Sequence, residues 1–128
     1  VRTFNIGRIQ TILPLNKNFN GGKNFNINDY VGKAWCLIPE GKIYDVKLWF
    51  SPMVAQNVSE VQWHSTQLAQ WHDDGSLTLN FRVDGLNEIS WWILGYGDQV
   101  KVLSPAALRQ KVLERAENLL KNHNHPGQ

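Results

Sequence analysis

The chain has 128 residues, a formal net charge of +2 and one cysteine, Cys36. This length suits one compact domain that folds without a disulfide or a metal, and so small a charge does not by itself indicate a nucleic-acid partner. A lone cysteine excludes an intrachain disulfide and is typical of a reducing compartment, so we expect a cytoplasmic protein. No apolar run is long enough to cross a bilayer and no secretion signal opens the chain, so we expect no membrane partner. Because the first residue is not methionine, we expect Val1 to mark a cut inside a longer protein.

An extended arm and a polar linker are predicted for the beginning of the chain. Residues 1–15 (VRTFNIGRIQTILPL) have the composition of an extended strand, with a bulge or kink at Gly7. Residues 16–26 (NKNFNGGKNFN) are polar and contain two glycines, which is typical of a linker. Residues 27–33 are expected to form one helical turn. Nothing beside the arm supplies a hairpin partner, so we expect the strand at residues 1–13, without the rest of its barrel, to be disordered or to add to another chain's sheet edge.

Sequence periodicity predicts a βαββαβ order for the rest of the chain. Residues 44–50 alternate apolar and polar side chains as a half-buried strand does, and Ser51-Pro52 then begins an amphipathic helix. Similar signals predict three more strands and two more helices: strands at 68–72, 77–83 and 99–103, and helices at 86–94 and 105–122. This order is that of an α+β, ferredoxin-like βαββαβ sandwich with an extra C-terminal helix, preceded by the extended N-terminal arm. Right-handed crossovers place the strands at 44–50 and 77–83 side by side at the centre of an antiparallel sheet.

The residues that most resemble a catalytic or metal site have simpler explanations. Asp73-Asp74 precedes Gly-Ser between two strands, which is typical of a hairpin turn and not of a catalytic carboxylate pair. Cys36 lies among apolar residues, so we expect a buried small hydrophobe and not a nucleophile. Four histidines have no metal-ligand spacing with one another or with the cysteine: His64, His72, His123 and His125. We therefore expect no enzyme activity, no cofactor and no metal.

A tryptophan among basic and polar residues distinguishes the outward parity of the two central strands. These outward residues are Trp49 and Lys47 on the first strand, and Arg82, Thr78 and Asn80 on the third. Such a face is compatible with a nucleic-acid platform like that of the RNA-recognition motif. However, the one aromatic residue of the third strand, Phe81, lies on the core parity. An exposed tryptophan at a sheet centre is more often a protein contact, and we favour that interpretation.

The chain resembles the C-terminal part of bacterial WYL-domain transcriptional regulators. The opening VRTFNIGRIQTI is similar to the closing segment of the WYL domain, although Gly7 stands where the family usually has aspartate. Five later segments resemble the WYL C-terminal extension, or WCX domain: VKLWFSPMVAQNV, VQWHSTQ, DDGSLTLNFRV, NEISWWILGYGDQVKVLSP and ALRQKV. Ser65 replaces the proline that usually follows the Trp-His pair. At Trp49 and Trp91 the family tends to carry polar or basic residues, which favours exposure of both tryptophans.

The resemblance implies three regions and a regulatory role. Residues 1–35 would be the final strand of a WYL domain and a linker, 36–122 a WCX-like ferredoxin-fold domain, and 123–128 a frayed tail. The chain would be a regulatory and dimerisation module that relays effector sensing to a helix-turn-helix absent from this chain. Its partners would then be a second copy in a homodimer, DNA through the absent N-terminal domain, and a nucleotide or single-stranded nucleic acid as effector.

The residues proposed for these contacts fall into two groups. Effector or nucleic-acid binding is predicted for Arg2 and Arg8, which match basic positions of the family, together with Lys47 and Arg82; as an alternative, the two arm arginines are solvated edge charges. Interface contacts are predicted for Trp49, Trp91, Trp63 and His64. Two other functions stay open: a single-stranded nucleic-acid binder that uses the open sheet face, and a small-molecule domain with a pocket beneath Trp63 and His64.

Overall fold

The computed structural model describes residues 2–19, 21 and 24–124. One four-stranded antiparallel sheet, in the order β2-β3-β1-β4, carries its main helices on one face. The elements in chain order are α1 (Ile27–Val31), β1 (Ile43–Phe50), α2 (Pro52–Ser59), β2 (Leu68–Trp71), β3 (Leu77–Asp84), α3 (Asn87–Leu94), β4 (Val100–Ser104) and α4 (Ala106–His123). This is the α+β, ferredoxin-like arrangement with a C-terminal helix that the periodicity predicts.

The two central strands pair as their alternating sequences require. β1 runs antiparallel to β3 with Val46 opposite Phe81 and Leu48 opposite Leu79, and all four side chains are buried. The opposite parity of both strands faces away from the helices, because successive side chains of a strand point to opposite faces. The core parity therefore holds the sheet to the helices, and the other parity forms an uncovered face.

The three helices after β1 each bury apolar side chains in the core. Pro52 occupies the first turn of α2, where its missing N–H costs nothing, and Ala55 and Val58 of that helix are fully buried. α3 buries Ile89 and Ile93 against the same side of the sheet. α4 buries only Leu108 completely, and Leu119 in its later half is exposed.

The arm forms no strand within residues 2–19. A 3-10 turn at Ile6–Arg8 is capped by the Asn5 side chain, which accepts a hydrogen bond from the Gly7 N–H at 2.9 Å. Every residue from 2 to 19 is exposed, including several large apolar ones. The expected extended strand is therefore absent from this part of the arm, because a strand needs a neighbour for its backbone groups.

One local expectation is corrected: Cys36 is exposed, not buried, since it lies on a surface loop. Trp35 packs on the core although it precedes residue 36, and the boundary at residue 36 stays a prediction. His123, the first residue of the predicted frayed tail, is the last residue of α4. The tail after Asn124, His125 included, lies outside the described residues. In the described part of the chain, no helix has the length and apolar character needed to span a membrane.

Candidate interaction surfaces

The uncovered sheet face places Trp49 at its centre. Trp49 lies opposite Thr78 of β3 on one side and Lys101 of β4 on the other. The Lys101 ammonium sits 4.8 Å from the centroid of the Trp49 ring, within cation–π distance. The ring is consequently half-buried, not fully exposed, and its outer surface carries a positive charge.

The basic residues predicted for effector binding do not form one cluster. Lys47 is exposed on this face beside Trp49, opposite Asn80. Arg82 lies two residues further along β3 and pairs with Asp45 at 3.8 Å, with both side chains largely exposed. Arg2 and Arg8 lie on the exposed arm. Lys47, Trp49 and Arg82 thus share the sheet face, and the binding role of all four basic residues stays a prediction.

A shallow polar cleft of about 480 Å³ adjoins Trp49 on this face. Within it the His72 Nε2 and the Thr78 hydroxyl lie 2.7 Å apart. The Asp74 carboxylate accepts hydrogen bonds from the Ser76 hydroxyl at 2.6 Å and the Ser76 N–H at 2.9 Å, and these bonds lower the pKa of Asp74. Asp74 therefore closes the hairpin turn, as Asp-Asp-Gly-Ser predicts.

The loop that carries Trp63 and His64 is held inside the domain. His64 is only 7% exposed, and its Nε2 lies 3.2 Å from the carbonyl oxygens of Lys33 and of Ala34. Because a carbonyl only accepts, Nε2 must carry the hydrogen, and Nδ1 is then free to accept from the Thr66 N–H at 3.2 Å. The His64 ring therefore ties the chain before β1 to the loop before β2, and its interface role stays a prediction.

Trp63 belongs to an aromatic cluster on the helix side of the sheet. Its indole N–H donates to the Val58 carbonyl at 2.9 Å, and its ring lies 5.1 Å from that of Trp92. Trp35 fills the other side, stacked on His64 at 5.8 Å and 4.8 Å from Trp92. These rings pack beneath Trp63 and His64, where a small-molecule domain would need its pocket. Trp63, half-buried, supports the core and is a poor candidate for a contact residue.

Trp91 marks a second surface, on the helix side. It is 63% exposed on α3, and the Arg115 guanidinium of α4 lies 3.7 Å from its ring centroid. The groove between the two helices has a volume of about 470 Å³ and includes Leu119 and Asn122. The predicted exposure of Trp91 is confirmed, whereas its role as a contact stays a prediction.

The family comparison identifies the domain that these surfaces belong to. The model of the WCX domain matches residues 42–120, from just before β1 into the last turns of α4. The chain belongs to the WCX domain family. No curated protein matched the chain. The matched residues contain both tryptophan surfaces and the Trp63-His64 loop, whereas Ala34 and Trp35, which pack on the WCX core, precede them.

Three carboxylates anchor the loop that precedes the WCX match. None of them was predicted from the sequence. Glu88 accepts from the backbone N–H groups of residues 36–38 at 3.0–3.3 Å, and Asp84 accepts from those of residues 40–42 at 2.7–3.2 Å. Glu40 accepts in return from the Asn87 N–H and side-chain amide, both at 2.9 Å, and so caps the start of α3. The partners lie more than 40 residues apart, so no local pattern could have revealed them. Across the described residues, no three His, Cys, Asp or Glu side chains come together as metal ligands.

Proposed function

We propose that this chain is the C-terminal regulatory module of a bacterial WYL-family transcriptional regulator, and that it relays effector sensing to a helix-turn-helix elsewhere in the protein. The observation that carries the proposal is the WCX match over residues 42–120. The similarity of the arm to the last WYL strand supports it, because the arm's apolar side chains are exposed and are suited to pairing with the rest of a barrel. The gene should then encode that barrel and a helix-turn-helix upstream of Val1.

The Trp49 face is the protein contact that we propose for this module. A half-buried aromatic ring next to two lysines, Lys47 along β1 and Lys101 on β4, offers apolar area with a polar rim, which is typical of interface anchors. Within the described residues no helix covers this face of the sheet, whereas helices cover the other face. The contact would join two copies of the module.

Sedimentation velocity of the isolated chain and of Trp49→Ala tests this contact. We expect self-association that weakens at least tenfold in the variant, since central tryptophans at interfaces contribute about 2 kcal/mol or more. Met53→Ala is the matched control, because Met53 is an exposed apolar residue on α2, away from the sheet face. A strict monomer for both the parent chain and Trp49→Ala would refute the Trp49 contact.

A second function, binding of single-stranded nucleic acid, is favoured by one observation. Trp49 offers a stacking surface next to Lys47 and Lys101, the combination that single-strand binders use. An oligonucleotide titration followed by tryptophan fluorescence would then show salt-dependent quenching that Lys101→Ala weakens. Arg82→Ala should weaken it less, since Asp45 already pairs with Arg82. Absence of quenching at low salt would exclude this function.

A further inference from the structure

The two edges of the sheet differ in how their outward backbone groups are used. On β4, the Arg109 guanidinium donates to the carbonyl oxygens of Val102 at 3.1 Å and Leu103 at 2.7 Å, and Pro105 follows the strand. A charged side chain and a proline are two devices by which natural sheets block pairing at an edge. The β4 edge is therefore blocked at Val102 and Leu103.

The β3 strand is also covered where it extends beyond β2. The Thr66 hydroxyl accepts from the Arg82 N–H at 2.8 Å, and the Lys33 carbonyl accepts from the Asp84 N–H at 2.7 Å. Ala34 forms a parallel bridge with Asp84. The free pairing surface of the sheet is consequently reduced to the outer side of β2.

β2 has none of these protective devices. Its sequence, Leu68-Ala69-Gln70-Trp71, contains no charge, proline, glycine or bulge, and all four residues are exposed. Leu68 is 69% and Trp71 50% exposed. β2 has only four residues, so it is a short template for another strand, but one that is regular, uncharged and mostly apolar.

The hydrogen-bond alternation of β2 fixes which groups face outward. The His72 N–H donates to the Ser76 carbonyl at 2.9 Å, so in the antiparallel β2–β3 ladder residues 68, 70 and 72 bond to β3. The backbone N–H and C=O groups of Ala69 and Trp71 then point away from the sheet. Within the described residues no hydrogen bond uses these four groups.

We propose that β2 pairs antiparallel with β2 of a second copy of this chain, about a two-fold axis through Gln70. Ala69 of each copy then lies opposite Trp71 of the other, and the four outward groups of each strand exchange four hydrogen bonds across the axis. The segment is self-complementary in this register, as a two-fold interface requires. The large Trp71 side chain lies over the small Ala69 on the same side of the sheet, so the pair fits without a clash.

The pairing goes beyond the Trp49 contact, because it leaves that face open. Trp49 lies opposite Thr78, and Thr78 lies opposite Gln70, so both Trp49 residues fall in line with the two-fold axis. Five strand spacings of about 4.8 Å then place them about 24 Å apart on the same side of one eight-stranded sheet. A Trp49 variant and a β2 variant therefore report on different contacts.

Sedimentation velocity of the intact chain tests the edge contact. Because the paired segment is short, we expect weak association, and the series of protein concentrations should extend to ~1 mM. In the Trp49→Ala background, which leaves only the edge contact, we expect Trp71→Lys to weaken association at least tenfold, because a charged edge side chain opposes strand pairing. Ile43→Lys is the matched control: Ile43 is an exposed apolar residue (43%) of the same sheet, on β1, and its replacement should leave association unchanged. Equal effects of the two variants would overturn the proposal.

Disulfide trapping tests the register. In a Cys36→Ser background, Gln70→Cys should form a crosslinked dimer under mild oxidation, because residues facing each other across the axis in a non-hydrogen-bonded pair have Cα atoms about 4.5 Å apart. Ala69→Cys should not crosslink, since its copies lie beyond the ~7 Å limit. Crosslinking of Ala69→Cys alone would overturn this register, and crosslinking of neither variant would overturn the β2 contact itself, whatever the outcome for Trp49→Ala.

Discussion

Replacing Gly85 with alanine should separate two physical costs at the junction between β3 and α3. Gly85 adopts φ 87°, and a Cβ on it would collide with a carboxylate oxygen of Glu40. That carboxylate must move, and it then loses its two hydrogen bonds to Asn87 at the start of α3. Gly41 has the same φ of 87° but no atom within 4 Å of its Cβ position, so Gly41→Ala has the backbone cost without the collision.

The magnitudes follow from these two observations. A non-glycine residue in the left-handed region costs about 1–2 kcal/mol, which both variants share. The two lost hydrogen bonds to a charged but exposed acceptor add about 1 kcal/mol each for Gly85→Ala. We therefore expect a loss of unfolding free energy of about 1–2 kcal/mol for Gly41→Ala and about 3–4 kcal/mol for Gly85→Ala, measured by urea denaturation.

A double-mutant cycle decides whether Glu40 causes the difference. Glu40→Ala removes the collision together with the hydrogen bonds. In that background Gly85→Ala should therefore cost only the backbone strain of about 1–2 kcal/mol. If Gly85→Ala costs as much in the Glu40→Ala background as in the parent chain, the collision is not the source of the extra loss. Equal losses for Gly41→Ala and Gly85→Ala would refute the reasoning in the same way.

Three further predictions concern other parts of the domain. Thr66→Val should lower the unfolding free energy by about 1–2 kcal/mol because a β3 N–H loses its acceptor, whereas the exposed neighbour Ser65→Ala should stay within about 0.5 kcal/mol in urea denaturation. The pKa of Asp74, lowered by its bonds to Ser76, should rise towards the ordinary value in Ser76→Ala, as measured by NMR titration. Because that pKa is depressed in the folded state, its stabilising effect should be present above the ordinary aspartate pKa and be lost as the pH falls through the lowered value. Trp35→Ala should cost about 3 kcal/mol, and a loss below about 1 kcal/mol would show that the packed domain begins only after residue 35.

The features that were predictable from the sequence are those that repeat along the chain. The alternation at 44–50 and 77–83 identified the two central strands and their buried parity, because a strand with one covered face must place apolar side chains at every second position. Ser51-Pro52 marked the start of α2 for an equally local reason. Such signals depend only on neighbours in the chain, and the structure follows them closely.

The errors concern residues whose surroundings come from distant segments. Cys36 has apolar neighbours in the sequence, but the carboxylate of Glu88, 52 residues away, holds its loop at the surface through the backbone. The burial of His64 also depends on a distant segment, because the carbonyl oxygens of residues 33 and 34 each lie 3.2 Å from its Nε2. In both cases tertiary hydrogen bonds decide the exposure, and they leave no periodic trace in the sequence.

The tryptophans fall into two groups: some pack in the core, and others lie at the surface of the domain. Trp63 lies under α2 with its N–H bonded to a helix carbonyl, whereas Trp49, Trp71 and Trp91 lie on the open face, the β2 edge and the helix side. These three sites lie on different elements, β1, β2 and α3. Pairing at the β2 edge would keep both Trp49 rings on one side of the sheet and both Trp91 rings on the other.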